Sequence, residues 1–299
     1  KRIGEGELEH RLIVATKDEI GSLADTFNEM AKNLQDAQAH LIEKERLQKE
    51  LQIAQEIQAS LLPGKNPVIP GFEISAFYRS AKEVGGDYYD FIELGGGKLG
   101  LVIADVSGKG IPGSLGMAVT RSILRSQARE HPSAINVVSR TNMLFSESIK
   151  PGLFVTLIYA ILDPAGRTLE CVNAGHMPMI VIRGKSGMFE NIKPAGIAVG
   201  LANVETFNKI IGTQRVELQE GDTAVFYTDG VNEAVDGAKN EFGEERLIKN
   251  LVKNSGLHTG EMLRELDREI TEFAGETPQY DDMTIVMVKC VEGGADGRA

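Results

Sequence analysis

The strongest constraint on the fold is an abrupt change in composition at Pro63. No glycine occurs between Ser22 and Leu62, and no proline precedes Pro63. Glutamine, glutamate, lysine, alanine and leucine dominate this stretch, which is typical of a long helix. Apolar residues within it recur at heptad a and d spacing: Phe27, Met30, Leu34, Ala37 and Leu41. The pattern predicts a continuous helix of about 40 residues.

A second apolar seam follows the first, displaced by one residue in heptad phase: Leu47, Leu51, Ala54 and Leu61. The slip near Leu47 is expected to change the local supercoil without ending the helix. Because a narrow apolar stripe cannot stabilise so long a helix alone, we expect a parallel homodimer. A helix folded back on its own following domain is the alternative. Four glutamines do not decide between them: Gln48, Gln52, Gln55 and Gln58. Leu47, Leu51 and Leu61 are the candidate regulatory residues.

Composition limits the class of protein. With 42% apolar and 25% charged residues, the 299-residue chain has the make-up of one large globular domain plus an appendage. A formal net charge of −11 without any Lys/Arg-dominated segment argues against a nucleic-acid partner. The longest apolar runs, such as 154–162, are too short to span a bilayer. Cys171 and Cys290 lie in apolar runs without metal-ligand spacing, so we expect buried thiols in a reducing compartment.

Beyond Pro63 the sequence changes to strand-like runs separated by turns. Strands are predicted in EISAFYRS, DYYDFIEL, KLGLVIADV, FVTLIYAILD, TLECVNAG, MPMIVIRG, TAVFYTDG and MTIVMVKC. Helices are predicted at about 112–129, 133–148, 244–254 and 260–273, the second capped by Ser133. Consecutive strands joined by short turns predict antiparallel sheets with two groups of helices outside them. The expected fold is α+β, an α-β-β-α sandwich preceded by a long helix.

The stretch IADVSGKGIPGSLGMA contains Gly108, Gly110 and Gly113 in the spacing G-x-G-x-x-G. That spacing is found in dinucleotide-binding turns of Rossmann folds, which need parallel βαβ units. Asp105 ends the apolar run directly before these glycines and would repel a cofactor phosphate. We therefore interpret the glycines as a tight loop between a strand and a helix.

Acidic residues lie at four ends of predicted strands. Asp87 follows two glycines, Asp105 and Asp229 end apolar runs, and Asp281 and Asp282 precede the last run. Each alone is typical of a turn or cap. If these ends converge, the repulsion between carboxylates would raise their pKa values unless cations neutralised them. Oxygen ligands without a His/Cys cluster favour Mg²⁺ or Mn²⁺.

Six motifs, taken in order, resemble a known family: EVGGDYYDF, ADVSGKGIPGSLGMA, FVTLIYAILD, NAGHMP, YTDGVNEA and DDMTIVMV. They are similar to the PPM (type 2C) metal-dependent protein phosphatases, and among these to the bacterial SpoIIE-type branch. The resemblance covers about residues 50–291, including the helical KERLQKELQIAQEIQASLLP. It implies a serine/threonine phosphatase with two divalent cations.

The resemblance implies particular site residues. Asp87, Asp105, Asp229 and Asp281 would bind the metals, with Asp105 bridging both, and the carbonyl of Val106 would replace that of a glycine. Asp105 and Asp229 would act in catalysis through a metal-bound water. Where the wider family often has a Glu-Asp pair, this chain has glycine before Asp87, which leaves the outer ligands of the second metal open.

Four further residues are weaker candidates. Arg79 is the nearest arginine for substrate phosphate, and His176 is a candidate general acid or substrate-binding residue. A loop-ordering role for His176 is the alternative. Ser107 and Lys109 adjoin the metal aspartate and would either touch substrate or serve as turn residues.

The N-terminal segment resembles the connector and second helix of a HAMP domain, on GEGELEHRL and KDEIGSLADTFNEMAKNL. This gives four expected regions: partial HAMP 1–37, coiled-coil linker 38–62, phosphatase domain 63–291 and disordered tail 292–299. The resemblance implies the cytoplasmic portion of an inner-membrane receptor, with the full-length protein anchored in the membrane.

The SpoIIE-type branch implies the substrate class, a phosphorylated STAS-domain protein of the anti-anti-sigma type whose dephosphorylation drives partner switching. The HAMP signal would act through the helical linker on the helix at 112–129. The alternative is a dimeric scaffold whose phosphatase-like domain binds a phosphoprotein with low activity.

Overall fold

The computed structural model describes residues 9–14, 16, 18–149 and 152–292. The chain divides into two compact units, 1–56 and 57–299. Of the predicted tail, only residue 292 is described, and ten residues of the predicted HAMP segment also lie outside the described ranges. Among the described helices, none is both long and apolar enough to cross a membrane.

A single helix, α1 (Glu19–Leu61), confirms the predicted continuous helix. In the first unit, the segment around Leu12 packs along the N-terminal part of α1. The side-chain amide of Asn28 donates to the carbonyl of Leu12 and accepts from its amide, both at 2.8 Å. Ala24 and Ala31 are buried on this face. The small side chains let the connector approach the helix closely.

The two predicted seams differ in their surroundings. Met30, Leu34 and Leu41 of the first seam are more than half exposed, and Leu47 of the second is nearly so. Leu61 is different because it packs against the core of the second unit. The helix ends at Leu61, where the chain enters the following domain, so this predicted seam position contacts the core of that domain.

The second unit contains two five-stranded antiparallel sheets. One has the order β1-β10-β9-β6-β7 and the other β2-β3-β4-β5-β8. The strands are β1 (Phe72–Arg79), β2 (Tyr88–Glu93), β3 (Leu99–Val106), β4 (Val155–Asp163), β5 (Thr168–Ala174), β6 (Met179–Ile182), β7 (Phe189–Ile192), β8 (Thr213–Glu217), β9 (Thr223–Tyr227) and β10 (Met283–Cys290). All pairings between these strands are antiparallel. The parallel units of a Rossmann fold are therefore absent from the described residues.

Helices cover the outer face of each sheet, as the sequence predicts. They are α2 (Ile111–Glu130), α3 (Ala134–Ser148), α4 (Val204–Ile210), α5 (Asp229–Asn232), α6 (Gly243–Lys253) and α7 (Thr259–Ala274). One apolar core lies between the sheets and includes Cys171 and Cys290. A second core joins α2 and α3 to one sheet, and a third joins α6 and α7 to the other. The α-β-β-α sandwich is confirmed.

The prediction differs from the structure at β7, β8, α4 and at the start of α3. The two strands are short edge strands with mostly exposed residues, so they lack the apolar runs that mark the inner strands. Ser133 occupies the N-cap of α3, but its side chain makes no capping hydrogen bond. The carboxylate of Glu170 instead accepts from the amide of Ala134 at 3.3 Å.

Candidate metal centre and active site

The predicted aspartates come together where one end of each sheet meets the other. Asp105 is the penultimate residue of β3, and Asp87 directly precedes the adjacent strand β2. Asp229 follows β9, while Asp281 and Asp282 directly precede β10. Because neighbouring antiparallel strands end and begin at the same edge, the topology collects all five. We call these five residues the acidic cluster.

Asp87 is buried and fixed by two threonines. Its Oδ2 accepts from the hydroxyl of Thr228 at 2.7 Å and from that of Thr284 at 2.5 Å. Burial raises the pKa of Asp87 well above its usual range, and the charge of Asp105 raises it further, whereas the two hydroxyls lower it. Sequence reasoning missed both threonines, although each lies within two residues of a cluster aspartate.

Asp282 anchors the loop that precedes Asp87. Its carboxylate accepts from the amides of Ala81 at 2.8 Å and Gly86 at 2.7 Å, and from the hydroxyl of Ser80 at 3.1 Å. It therefore ties the start of β10 to the loop between β1 and β2. The two consecutive aspartates have different surroundings, because the exposed ammonium of Lys109 contacts Asp281 at 2.8 Å.

Two glycines permit the close approach of these segments. A Cβ at Gly86 would lie 2.7 Å from the carbonyl oxygen of Val106 and 3.3 Å from Oδ1 of Asp105. A Cβ at Gly230 would collide with the carbonyl of Asp282. Glycine at position 86 therefore leaves room beside the carbonyl of Val106, which the family resemblance implies is a metal ligand.

The carboxylates repel one another. Burial raises the pKa of Asp105 to about 7, helped by the charges of Asp229, Asp281 and Asp282 and opposed by Lys109. Burial also raises the pKa of Asp229, with Asp281 as the next cause. The pKa of Glu233 is raised by burial and then by Asp229. Glu233 was not predicted; its signal was its position four residues after Asp229.

These residues fit divalent cations in donor type and charge, though they do not form a finished coordination shell. No group of three or more acidic, His or Cys side chains in the described residues is already arranged around one point. Asp87 accepts from threonines, and Asp281 is paired with Lys109. Burial is the main cause of the raised pKa of Asp105, and the negative charge of its neighbours, which a hard cation would compensate, comes second. Binding would require Asp281 to exchange Lys109 for the metal.

The glycine-rich stretch forms the wall of the cleft. A cavity of about 70 Å³ beside Asp105, Asp281 and Asp282 is lined by residues 106–110. Gly108 and Gly110 have φ of +98° and +76°, a conformation that favours glycine. Helix α2 begins at the next residue. The predicted role of these glycines as a tight strand-to-helix loop agrees with this geometry.

Arg79 lies on a neighbouring cavity, but its guanidinium is already paired. It contacts Asp267 at 2.7 Å and Gln279 Oε1 at 2.7 Å. The cavity also contacts Lys109 and Asp281. These bonds give Arg79 a part in joining β1, α7 and the loop before β10, so phosphate binding by Arg79 would compete with a structural role.

His176 is buried, and its ring Nδ1 lies 2.8 Å from the hydroxyl of Thr156. Its amide donates to Asn173 Oδ1 at 2.8 Å, and Asn173 Nδ2 donates to Met177 O at 3.0 Å. Burial lowers the pKa of His176 to about 4. The ring is not among the residues that line the cleft, so the geometry favours the loop-ordering interpretation. Thr156, the hydroxyl partner of His176, lies on β4 directly opposite Asp105 of β3 in the antiparallel sheet.

Comparison with known protein families identifies the family to which this chain belongs. The family model described as Stage II sporulation protein E (SpoIIE) matches residues 95–291, about two thirds of the chain. The chain belongs to the SpoIIE family. The HAMP domain model matches residues 1–36, which confirms the second resemblance.

Relatives of this SpoIIE-family chain include two curated bacterial proteins. It is 28% identical to Protein IcfG of Synechocystis over 96% of this chain and 49% of that protein. It is 25% identical to phosphoserine phosphatase RsbU of Bacillus subtilis, over 82% of this chain and 71% of RsbU. The chain thus spans about half the length of IcfG.

A solved structure shares the fold. The SiaA-PP2C domain of Pseudomonas aeruginosa superposes with a TM-score of 0.72 at 21% identity, covering 83% of this chain and 98% of that domain. Since the identity is low, this likeness supports the sandwich fold and its topology.

Proposed function

We propose that this SpoIIE-family chain is a metal-dependent protein serine/threonine phosphatase. The convergence of the acidic cluster at one cleft carries this proposal, and it is supported by the pKa of Asp105, which burial and then the neighbouring carboxylates raise to about 7. Clusters of carboxylates in a cleft are typical of sites that bind hard cations. Membership in a family that includes a phosphoserine phosphatase supports the choice of reaction.

The proposed ligands of two Mn²⁺ or Mg²⁺ ions are Asp87, Asp105, Asp229, Asp281 and the carbonyl of Val106. Asp105 is the proposed bridging ligand, and the effect of the Asp229 and Asp281 charges on its pKa, which is second to that of burial, supports this choice. Glu233, whose pKa responds to the same two residues, is the added candidate for the outer ligands of the second metal. Asp282 supports the loop without being a proposed ligand.

The bound metals would supply positive charge to the phosphoryl group and activate water for its attack. The chain's own residues prepare the site for this. Thr228 and Thr284 fix the rotamer of Asp87, and Asp282 holds the backbone of Gly86. Lys109, at the mouth of the cleft, is placed to attract the substrate phosphate once it leaves Asp281. Phosphate-ester hydrolysis needs mostly charge stabilisation, which the bound metals and Lys109 would supply.

The surroundings of the cleft favour a protein as substrate. Apolar side chains are exposed on segments that adjoin it: Tyr280 at 63% on its lining, and Ile111 at 53% and Leu115 at 62% at the start of α2. Ile111 lies two residues after Lys109, and Tyr280 directly precedes Asp281. Because a phosphoserine side chain is short, the backbone of its protein must lie against this rim. The family resemblance points to a STAS-domain protein and to partner switching.

We further propose a parallel homodimer through α1 and regulation from a membrane sensor through the HAMP segment. The exposed apolar residues along α1 support the dimer. The HAMP match supports signalling through the N-terminal segment. In this proposal the catalytic domain is on the cytoplasmic side of an anchored full-length protein.

The test is phosphate release from a phosphoserine-bearing STAS-domain protein and from an aryl phosphate, each with Mn²⁺ and with chelator. We expect metal-dependent turnover of both. Leu115→Ser should lower kcat/KM for the protein at least about tenfold and leave the aryl phosphate unchanged, because one apolar contact is worth about 1–3 kcal/mol. Turnover that survives the chelator would refute the metal site.

The second candidate function is a dimeric scaffold whose phosphatase-like domain binds a phosphoprotein with low activity. It is favoured by the ion pair with Lys109, which engages the carboxylate of Asp281, one of the proposed metal ligands. A scaffold would bind the phosphorylated STAS protein without releasing phosphate at any Mn²⁺ concentration. Single-turnover assays separate the two, since they detect hydrolysis even when product release is slow.

A further inference from the structure

Of the four glutamines in the second half of α1, one has surroundings unlike the others. Gln58 is buried, with 7% exposure, whereas Gln48, Gln52 and Gln55 are exposed. Its side-chain amide donates to the carbonyl of Gly85 at 2.7 Å and accepts from the amide of Gly85 at 3.0 Å. The side chain therefore pairs with both backbone polar groups of one residue.

Gly85 belongs to the loop that carries Asp87. On its other side, a Cβ at this position would collide with the Oδ2 atom of Asp282. Asp282 also holds the amide of Gly86 at 2.7 Å. The Gly85–Gly86 backbone is thus fixed between Gln58 of α1 and Asp282, which directly precedes β10, and it lies beside Asp105 and the carbonyl of Val106.

The end of α1 is itself anchored. The carbonyl of Leu61 accepts from Nε of Arg121 on α2 at 2.6 Å, and Leu61 packs against the core under α2. Gln58 lies one turn before Leu61. A displacement of this last turn would break both hydrogen bonds to Gly85 together, because one side-chain amide makes both.

We propose that Gln58 is a positioning residue for the metal centre: it fixes the Gly85–Gly86 backbone so that Asp87 and the Val106 carbonyl face the same cations. The inference rests on the proposed metal site. It assigns the last turn of α1 a direct structural part in that site. The exposed glutamines of α1 have no such part.

The test compares Gln58→Leu with Gln55→Leu in the full chain. Leucine is apolar and branched at its end, though one bond shorter than glutamine, and it leaves the amide and carbonyl of Gly85 unpaired in a buried place. We expect Gln58→Leu to weaken Mn²⁺ binding about tenfold or more, as loss of supporting contacts around a metal site does. Free Mn²⁺ is measured by electron paramagnetic resonance. Gln55→Leu should bind as the parent does.

Hydrogen exchange at residues 85–87 is the second readout and needs no metal. It should accelerate in Gln58→Leu, while exchange in β3, β4 and β10 stays unchanged. Gln58→Glu, which retains the acceptor but loses the donor, should give an intermediate effect in both readouts and serves if the leucine variant does not fold. Unchanged exchange and unchanged Mn²⁺ binding in a folded variant would overturn the inference. If the parent itself bound no Mn²⁺, the proposed function would fail, and exchange alone would decide whether Gln58 fixes the loop.

Discussion

Replacement by asparagine should affect the two consecutive aspartates before β10 differently: at Asp282 it should lower stability, and at Asp281 it should lower Mn²⁺ affinity. Asp282 accepts three hydrogen bonds shorter than 3.2 Å, two of them from backbone amides on the loop before Asp87. Asparagine retains one acceptor oxygen, and its NH₂ group then faces an N–H donor. The repulsion that Asp282 exerts is a later-ranked cause of the raised pKa values of Asp87 and Asp105, so its relief offsets little.

The expected magnitude follows from the lost hydrogen bond. A hydrogen bond to a charged group contributes about 1.5–3 kcal/mol to stability, and a buried N–H donor left without a partner lowers stability further. Asp282→Asn should therefore lower the free energy of unfolding of the metal-free protein by about 2–4 kcal/mol. For a domain of this size, 1 kcal/mol corresponds to a shift in Tm of about 2–4 °C.

Asp281→Asn is the matched control. Its lost partner is the ammonium of Lys109, more than half exposed, and such surface pairs contribute about 0–1 kcal/mol. Its bond from the amide of Asp282, at 3.0 Å, survives in asparagine. Unfolding should change by less than about 1 kcal/mol, while Mn²⁺ affinity falls. Urea denaturation in chelator measures the first and metal titration the second; equal stability losses in the two variants would refute the reasoning.

Three further predictions concern single residues. Because the pKa of Asp105 is raised to about 7, its protonated form favours folding. The free energy of unfolding of the metal-free protein should therefore fall as pH rises from about 4 to 7. Mn²⁺ affinity, measured by calorimetric titration, should rise until about pH 7 and then level off. Gly230→Ala should lower the free energy of unfolding by about 3 kcal/mol or more, because the new Cβ would collide with the carbonyl of Asp282. Gly237 has open space around it, so Gly237→Ala should change the free energy of unfolding by less than about 0.5 kcal/mol. His176, with a pKa of about 4, should show no imidazole titration by NMR between pH 5.5 and 8; an inflection near 6.5 would contradict its buried placement.

The sequence predicts the sandwich because its inner strands are continuous apolar runs and its helices have clear boundaries. It also predicts which aspartates converge, since each ends or begins such a run. The edge strands β7 and β8 are not predicted, because half-exposed edge strands carry no strong pattern.

The contacts that support the site are harder to predict. Thr228, Thr284 and Gln58 act through hydrogen bonds to residues far away in sequence, and their own neighbours give no signal of this. The distinct surroundings of Asp281 and Asp282 likewise depend on three-dimensional contacts with Lys109 and Gly86. Arg79 has the residue type for phosphate binding, but its pairing with Asp267 is visible only in the fold.

The most direct test of the account is the initial rate of phosphate release from a phosphoserine STAS-domain protein as Mn²⁺ is titrated, for the parent and for Asp105→Asn. Asp105 is the proposed bridging ligand, and its pKa is raised by burial and then by the charges of Asp229, Asp281 and Asp282. We predict a saturable, Mn²⁺-dependent rate in the parent and a loss of at least about 10³-fold in the variant, as for removal of a central electrostatic group. A variant that hydrolyses the phosphoprotein at the parent's rate would contradict the assignment of this cleft as the catalytic site.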